Sequence, residues 1–429
     1  MLRPRDSKSS ASAPNILAKE LVISQNDPLD AGTDNTVNTV PGSLTDNSTA
    51  VDIKFSVPFV HRLRTTRHVA GADFPTLLGV LTPGSVGPAK VLLVAERPVA
   101  DAAGHVAELA RRLGECPDIE LVRDVLLVSG GEDVKNDLSC VEEILNQINS
   151  YDLDRRSYVI AIGGGAMLDA VGYAAAIAHR GVRLVRLPTT TLAQGDSGVG
   201  VKNAINYFGK KNWVGTFSVP WAVINDASLL ESLSDRDFCS GFSESVKVTL
   251  LKSRDEFDWL CDNADRIRNR EMSLATRAIA TSCELHLRHI TEGGDPFEML
   301  EARPLDFGHW SAHKLEPITD FQVRHGEAVG IGVAIDCFYS HLKLGFPLSD
   351  VQRVCDCLSR LGLPLWHQAL SPLDRLLAGL EEFRQHLGGR LTITMLRGVG
   401  EPVDVHEIDT PTMAKAIEML HHVGQPLRG

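Results

Sequence analysis

Three histidines and one glutamate have the residue types and the spacing for metal binding. His309 and His313 are four residues apart, so on a helix they project from the same face about one turn apart. His325 follows after a loop that contains Pro317, where a helix that turns back would bring it near the first two. Neutral imidazoles and one carboxylate, that of Glu244, with a position left for a water or substrate oxygen, are typical of a catalytic zinc site. Because two histidines at this spacing are also common on a polar helix face, spacing alone leaves both interpretations open.

A run of three glycines, Gly163 to Gly165, follows a strand pattern and opens a helix pattern. Glycines at such a turn let the backbone approach a pyrophosphate, and the helix N-terminus presents unpaired N–H groups to its charge. The run is not Gly-x-Gly-x-x-Gly, and a tight strand-to-helix turn would look the same. Dinucleotide binding is therefore an interpretation that needs support from other segments.

Hydroxyl, carboxylate and lysine side chains cluster after the next strand. Thr189 and Thr190, in a Pro-Thr-Thr turn, supply hydroxyls where a nucleotide would lie. The glycine-rich segment Asp196 to Lys202 offers a carboxylate and an ammonium, and Lys210-Lys-Asn212 follows closely. Lysines grouped in an acidic protein favour an anionic ligand, although a solvated loop would have a similar composition.

Two kinds of pattern surround these residues and must position them. From Lys90 to Ile224, short β-branched runs alternate with helical stretches, which predicts βαβ units and a mainly parallel sheet. After about Leu230 the pattern is helical, most clearly over Ala264–Ile290 and Ala328–Leu344. We therefore predict an α/β N-terminal dinucleotide-binding domain with a Rossmann-like parallel sheet and a mostly α-helical C-terminal domain. We expect the site in the cleft between them.

Chain length and composition suggest the domain boundaries. The 429 residues exceed what one hydrophobic core usually supports. Residues 1–50 are rich in Ser, Thr, Asn, Asp and Pro, and we expect a disordered tail because such a segment buries too little apolar surface. We assign residues 51–228 to the α/β domain and residues 229–429 to the helical domain.

The overall composition argues against several classes of protein. A formal net charge of -12 gives no electrostatic footprint for nucleic acid. No apolar run approaches the roughly 18–20 residues of a membrane span, and the N-terminus lacks the apolar region of a secretory signal. The eight cysteines form no Cys-x-x-Cys pair, so we expect reduced thiols in a cytoplasmic protein.

The longer motifs of the sequence resemble a known family. In chain order they read Gly-Gly-Gly-x-x-x-Asp-x-x-Gly, His-Arg-Gly-Val, Pro-Thr-Thr-x-Leu-Ala-Gln-x-Asp-Ser-x-Val-Gly-x-Lys, Gly-Lys-Lys-Asn, Glu-Ser-Val-Lys and Phe-Gly-His-x-x-x-His. Together they resemble 3-dehydroquinate synthase and its sugar phosphate cyclase relatives. The resemblance implies that bound NAD takes a hydride from a ring alcohol and later returns it, phosphate leaves by elimination, and an intramolecular aldol reaction closes a carbocycle.

The same resemblance implies roles for individual residues. It implies a Zn²⁺ or Co²⁺ ion whose ligands are Glu244, His309 and His325. His313 is then left as a phosphate or proton contact, which differs from the spacing argument above. Arg180, in His-Arg-Gly, matches an arginine that reaches the site of a neighbouring subunit, so the resemblance implies a homodimer.

Substrate and cofactor contacts follow from the resemblance in the same way. The positions that match substrate-facing residues are Asp196, Lys202, Asn212 and Lys247. The positions that match NAD contacts are Glu132, Lys135, Gly164, Gly165, Asp169, Thr189, Thr190, Leu192 and Lys211.

The sequence departs from the family pattern where 3-dehydroquinate synthases bind the substrate carboxylate. His286, in Cys283-Glu-Leu-His286, stands where they have lysine, and Asp306 stands where they have asparagine. Their arginine is also displaced: Arg303 is one residue out of register, and Arg288 is a candidate substitute. Loss of a cation and gain of a carboxylate disfavour an anionic group. We therefore expect a ketose phosphate such as sedoheptulose 7-phosphate, and a cyclitol or valiolone-type synthase branch.

Three alternatives remain at this point. The first is 3-dehydroquinate synthase itself, acting on the carboxylated seven-carbon sugar acid phosphate. The second is a metal-dependent alcohol dehydrogenase of the glycerol dehydrogenase type, which has a similar two-part plan but would change nicotinamide absorbance at steady state. The third is a binding or scaffold protein that keeps the fold without the activity.

Overall fold

The structure is a computed structural model that describes residues 52–53, 55–82, 87–208, 210–298, 304–386 and 390–424. The few residues described before Phe59 belong to a separate N-terminal unit, and every helix and strand named below lies in the unit that begins at Phe59. The predicted disordered tail, residues 1–50, lies outside the described residues.

The strands of the described residues alternate with helices in the first half of the chain. The strands are β1 (Leu63–Thr66), β2 (Ala89–Glu96), β3 (Ile119–Leu121), β4 (Leu126–Val128), β5 (Tyr158–Gly163), β6 (Arg183–Pro188), β7 (Lys202–Tyr207), β8 (Lys210–Phe217), β9 (Ala222–Asp226), β10 (Ile393–Gly398) and β11 (Glu401–Val405).

The helices dominate the second half. They are α1 (Phe74–Leu78), α2 (Arg97–Ala103), α3 (His105–Glu115), α4 (Ser139–Ser150), α5 (Gly165–Ile177), α6 (Asp235–Ser240), α7 (Phe242–Lys252), α8 (Arg254–Arg268), α9 (Met272–Glu292), α10 (His309–Ile318), α11 (His325–Leu344), α12 (Leu348–Arg360), α13 (Leu373–His386) and α14 (Thr410–Gly424).

A parallel sheet organises the first half. Its strand order is β1-β9-β6-β5-β2, with β3 and β4 both pairing with β2 at successive positions. The central strand β5 is buried along its whole length. Val159 and Ala161 pack with α4 and α5 on one face, whereas Ile160 and Ile162 pack with α3 on the other. Both faces are covered, as a parallel sheet requires, and the carboxyl ends of β2, β5 and β6 lie side by side.

Two buried helices form the centre of the second half. All residues of α7 from Phe242 to Leu251 are buried, and so are those of α11 from Gly326 to Ser340. A helix that is buried on all sides belongs to the interior of a helical domain. Helix α11 packs against α7, α10, α12 and α14. The first turns of α7, α10 and α11 therefore approach one another.

The predicted fold class is confirmed, two local predictions are wrong, and one element is missing from the predictions. The helical pattern over residues 264–290 is broken, because Arg270 has a left-handed backbone (φ 59°) between α8 and α9. Pro317 lies in the last turn of α10 and not in the following loop. The β7–β8 antiparallel hairpin was not predicted. The boundary at residue 228 stays a prediction.

Within the described part of the chain, none of the helices combines the length and the apolar composition that a membrane crossing requires.

Candidate functional site

Glu244, His309 and His325 meet where three helices begin. His309 is the first residue of α10, His325 is the first residue of α11, and Glu244 lies in the first turn of α7. Nε2 of His309 is 3.6 Å and Nε2 of His325 is 3.7 Å from Oε1 of Glu244. Ligand atoms around one tetrahedral Zn²⁺ are about 3.4 Å apart, given metal–ligand distances of about 2.1 Å. The three side chains therefore have the spacing of a metal site.

The state of Glu244 also suits a cation. Its side chain is 1% exposed, and neither carboxylate oxygen accepts a hydrogen bond of good geometry from the described residues. Burial raises the pKa of Glu244, but Lys247 and His309 together outweigh this effect and lower the pKa to about 2. The carboxylate is ionised at neutral pH and has lone pairs to offer, so the residues fit a divalent metal.

The backbone of α11 is held close to the end of α6 at this point. A Cβ on Gly326 would lie 2.0 Å from the carbonyl oxygen of Ser240, so only glycine fits here. This close approach brings His325, the preceding residue, towards the start of α7 and hence towards Glu244.

His313 belongs to a second group with Glu316 and His325. Oε1 of Glu316 is 2.8 Å from Nζ of Lys211, and Oε2 is 3.2 Å from Nδ1 of His325. Since Glu316 already has these two partners, we interpret it as a residue that orients the His325 ring. Burial lowers the pKa of His313 well below its usual value, so this imidazole is neutral. Spacing alone would have made both His309 and His313 ligands, whereas the structure places them in different groups.

Asp196 and His286 form a pair beside Lys247. Nδ1 of His286 lies 2.8 Å from Oδ1 of Asp196. Burial raises the pKa of Asp196, but Lys247 and His286 together hold it below its usual range. Because Nδ1 faces Asp196, Nε2 is the ring nitrogen of His286 that is left for a ligand.

The segment that carries Asp196 is fixed by a buried arginine. Arg186 on β6 donates to the carbonyl oxygens of Gly198 and Gly200 at 3.0 and 2.9 Å and to Oδ1 of Asn203 at 2.6 Å. Asn203 is buried, and Arg186 is its side-chain partner. This network orders a glycine-rich segment that the sequence suggests is flexible.

The β7–β8 hairpin carries the remaining predicted substrate residues. Lys202 is half exposed and lies 2.5 Å from Glu298. Asn212 has a left-handed backbone (φ 54°) and accepts a hydrogen bond from Lys135 at 2.5 Å. Lys211, the second residue of β8, contacts Glu316 as described above. The hairpin thus joins the substrate side of the site to the predicted cofactor side.

Most predicted cofactor residues converge on the carboxyl ends of β5 and β6. Gly164 and Gly165 open α5, and a Cβ on Gly164 would lie 3.4 Å from Thr190. Asp169, one turn into α5, is 2.8 Å from Nζ of Lys135. Thr189 follows β6 and donates its N–H to the carbonyl oxygen of Gly163 at 3.0 Å. The N–H groups at the start of α5 are therefore suited to bind an anion.

Glu132 and Leu192 flank this turn less directly. Oε1 of Glu132 accepts a weak hydrogen bond from Asn206 at 3.5 Å. Leu192 lies just after Thr190, whose hydroxyl accepts the N–H of Ala193 at 3.0 Å and so begins the next helical segment.

Glu96 was missed in the sequence and lies within the same turn. It ends β2, and a Cβ on Gly163 would lie 2.8 Å from its Cγ. Burial raises the pKa of Glu96 to about 7, although the N–H groups of Gly164 and Gly131 hydrogen bond to it. The available signal in the sequence was an acidic residue at the carboxyl end of β2, a mostly apolar strand.

Two predicted residues do not join the site in this chain. Arg180 is exposed and follows α5, whose 13 residues span about 20 Å from the glycine turn. Arg288 pairs with Glu284 at 2.5 Å and lines a cavity of about 340 Å³ between α9 and the ends of β1 and β9. His286 does not line that cavity, and the suggestion that Arg288 replaces the family arginine stays a prediction. Arg303 lies outside the described residues.

Comparison with known proteins gives two family matches that adjoin in the sequence. Residues 125–240 match the family described as 3-dehydroquinate synthase N-terminal, and residues 241–382 match 3-dehydroquinate synthase C-terminal. The chain is 32% identical over 293 residues to a 3-dehydroquinate synthase of Caulobacter vibrioides, which covers 67% of this chain and 78% of that protein. It is also 32% identical over 345 residues to the enzyme of Rhodopseudomonas palustris, which covers 78% of this chain and 87% of that protein.

Among solved structures, the chain is similar to ValA, a 2-epi-5-epi-valiolone synthase from Streptomyces hygroscopicus subsp. jinggangensis, solved with NAD⁺ and Zn²⁺ bound. The TM-score is 0.78 at 25% sequence identity, and the match covers 86% of this chain and 99% of that one.

Proposed function

The chain belongs to the 3-dehydroquinate synthase family, and we propose that it is an NAD- and divalent-metal-dependent sugar phosphate cyclase. We propose a seven-carbon ketose phosphate, sedoheptulose 7-phosphate, as its substrate and a cyclitol as its product. The observation that carries the reaction class is the convergence of Glu244, His309 and His325 beside Lys247. The similarity to a valiolone synthase with NAD⁺ and Zn²⁺ bound supports the same choice of cofactors.

The residues on the site have the properties that this reaction needs. Glu244, His309 and His325 would hold Zn²⁺ or Co²⁺, and the start of α5 with Lys135, Asp169 and Lys211 would hold NAD. The metal would polarise a substrate oxygen, and NAD would accept and return a hydride.

The remaining polar side chains would bind and orient the substrate. Lys247 is 2% exposed. Its ammonium group can donate hydrogen bonds to substrate hydroxyls. Asp196 orients His286 through Nδ1, which leaves Nε2 to exchange a proton or a hydrogen bond with a hydroxyl. Lys202 and His313 would contact the phosphate, which leaves during the reaction.

The choice of substrate depends on the charges around Lys247. Glu244 and Asp196 raise the pKa of Lys247, against the opposing effect of burial, and Asp306 contributes in the same direction. Three carboxylates around one ammonium disfavour a further carboxylate on the substrate. His286, whose Nδ1 is already beside Asp196, is a weaker anion partner than the lysine it replaces. Both features support a substrate without a carboxylate.

The direct test is to incubate the purified protein with NAD, Zn²⁺ and each of the two sugar phosphates and to measure phosphate release. We expect turnover of the ketose phosphate and no net change in nicotinamide absorbance. Turnover of only the carboxylated substrate would make the protein a 3-dehydroquinate synthase, and net NADH formation with an alcohol would favour the dehydrogenase alternative.

A substitution tests the specificity argument separately. We expect His286→Lys to lower kcat/KM for the ketose phosphate about tenfold or more and to increase turnover of the carboxylated substrate. His289→Lys is the matched control, because it adds the same charge one turn further along α9. Equal effects of both substitutions would contradict a specific role of His286.

A further inference from the structure

One buried carboxylate contacts a residue from each half of the site. Glu316, on α10, is 4% exposed at its side chain. Its Oε1 lies 2.8 Å from Nζ of Lys211, which belongs to the α/β half. Its Oε2 lies 3.2 Å from Nδ1 of His325, which belongs to the helical half. Both oxygens of Glu316 are therefore engaged, with partners that have different proposed roles.

The contact with His325 fixes which nitrogen faces Glu244. A carboxylate beside Nδ1 favours the tautomer that has its proton on Nδ1 and a lone pair on Nε2. Nε2 is the atom that lies 3.7 Å from Oε1 of Glu244. A stronger interaction between Glu316 and Nδ1 makes Nε2 a better metal ligand.

The contact with Lys211 limits that interaction. The ammonium of Lys211 neutralises part of the Glu316 charge, so the pull of Glu316 on the His325 proton is weaker than it would be without the lysine. An anionic cofactor near Lys211 competes with Glu316 for the same ammonium. When Lys211 turns towards such a cofactor, more of the Glu316 charge acts on His325.

We propose that Glu316 is a positioning residue that couples the binding of NAD to the binding of the metal, so that each strengthens the other. The inference rests on the proposed function, since it takes Lys211 as a cofactor contact and His325 as a metal ligand. The coupling is reciprocal by thermodynamic necessity: NAD raises the affinity for Zn²⁺ by the same factor by which Zn²⁺ raises the affinity for NAD.

The test is to titrate Zn²⁺ against a chromophoric chelator, with and without saturating NAD, and to titrate NAD with and without Zn²⁺. In the wild-type protein we expect both coupling factors to be about tenfold. In Glu316→Gln we expect both factors to fall to near one and the affinity for Zn²⁺ without NAD to fall about 10- to 100-fold.

A second variant separates this role from a merely structural one. Lys211→Met removes the competing ammonium, so we expect tight Zn²⁺ binding without NAD, equal to or above that of the NAD-bound wild type, and no further gain on adding NAD. Glu382→Gln is the matched control. Glu382, on α13, pairs with Lys314, which lies on α10 like Glu316 but away from His325. We expect it to behave as the wild type.

The outcomes distinguish this inference from the proposed function. If the wild-type protein binds both ligands without coupling, or if Glu316→Gln retains the coupling, the inference is wrong and the proposed function stands. Loss of Zn²⁺ binding in Lys211→Met would also overturn the inference. The Lys211→Met variant therefore still tests the inference if Glu316→Gln does not fold. A wild-type protein that binds neither NAD nor Zn²⁺ would overturn the proposed function and the inference with it.

Discussion

The ammonium of Lys247 lies 2.5 Å from Oε2 of Glu244, and both side chains are almost completely buried in α7. The other oxygen, Oε1, faces the two imidazoles of His309 and His325. One carboxylate therefore balances a buried lysine and completes the proposed metal site. A buried ion pair is costly to break, because the remaining charge has no partner.

The first prediction concerns this pair. Glu244→Gln should abolish tight Zn²⁺ binding and lower the free energy of unfolding by up to about 3–5 kcal/mol, since the buried Lys247 loses its nearest carboxylate and keeps only the weaker attraction of Asp196 and Asp306. The double variant Glu244→Gln with Lys247→Met should recover most of this stability without recovering Zn²⁺ binding. Urea unfolding in the presence of a chelator and Zn²⁺ titration measure the two effects. A double variant that binds Zn²⁺ as the wild type would contradict the ligand role of Glu244.

The sequence predicts the residues of the site better than their grouping. Helical spacing correctly places His309 and His313 on α10, but which of them faces Glu244 depends on how α7, α10 and α11 cross. That crossing is set by long-range contacts, such as the close approach of Gly326 to Ser240. No spacing within the sequence carries this information.

The hairpin was missed for a different reason. Strand β7 is mostly buried but short, and β8 alternates exposed and half-buried residues that include Trp213 and Phe217. Glycine and lysine residues at the start of β8 indicate a loop. The ordering comes from Arg186, which is buried on β6 and hydrogen bonds to this segment across the fold. A buried arginine cannot be distinguished from an exposed one by its sequence neighbours.

The second prediction is a pH dependence of NAD affinity that originates at Glu96. Its carboxyl group occupies the glycine turn and has a pKa of about 7 because of burial. Protonated Glu96 is neutral, whereas ionised Glu96 repels an anionic pyrophosphate. NAD affinity should therefore fall as the pH rises through about 7. Isothermal titration between pH 6 and 8 measures this change.

Glu96→Gln should bind NAD with nearly the same affinity across that range. Glu120→Gln, on the exposed part of β3, is the control and should keep the wild-type pH dependence. An unchanged pH dependence in Glu96→Gln would assign the effect to another group.

The third prediction concerns Asp336, which holds the first turn of α10. Its Oδ2 accepts the N–H of Gly308 at 2.8 Å, and its Oδ1 accepts the indole N–H of Trp310 at 2.9 Å. Gly308 has a left-handed backbone (φ 77°), and a Cβ there would lie 2.7 Å from the amide nitrogen of Val333. His309 lies between the two residues that Asp336 binds.

Asp336→Ala should leave two buried donors unpaired, which costs about 1–3 kcal/mol for each. Asp336→Asn keeps one acceptor oxygen, so its loss of unfolding free energy should be smaller. Urea unfolding measures both losses. Because His309 would be less firmly placed, Zn²⁺ affinity should fall in the same order, and equal Zn²⁺ affinity in all three proteins would contradict this placement.

The last prediction tests whether Arg180 acts in the site of a second subunit. Arg180 is exposed and about 20 Å from the glycine turn, so it is too distant to act on the substrate of its own chain. We therefore expect Arg180→Ala and Glu244→Gln each to be inactive alone. When the two variants are co-expressed with different affinity tags, a hybrid dimer has one site with an intact metal group and an Arg180 from its partner. Random pairing places such a site in about one quarter of the positions, so phosphate release should recover to about one quarter of the wild-type value.

If Arg180 acted within its own chain, every site of the mixture would lack one of the two residues and no activity would return. Failure to purify a doubly tagged species would instead contradict the homodimer.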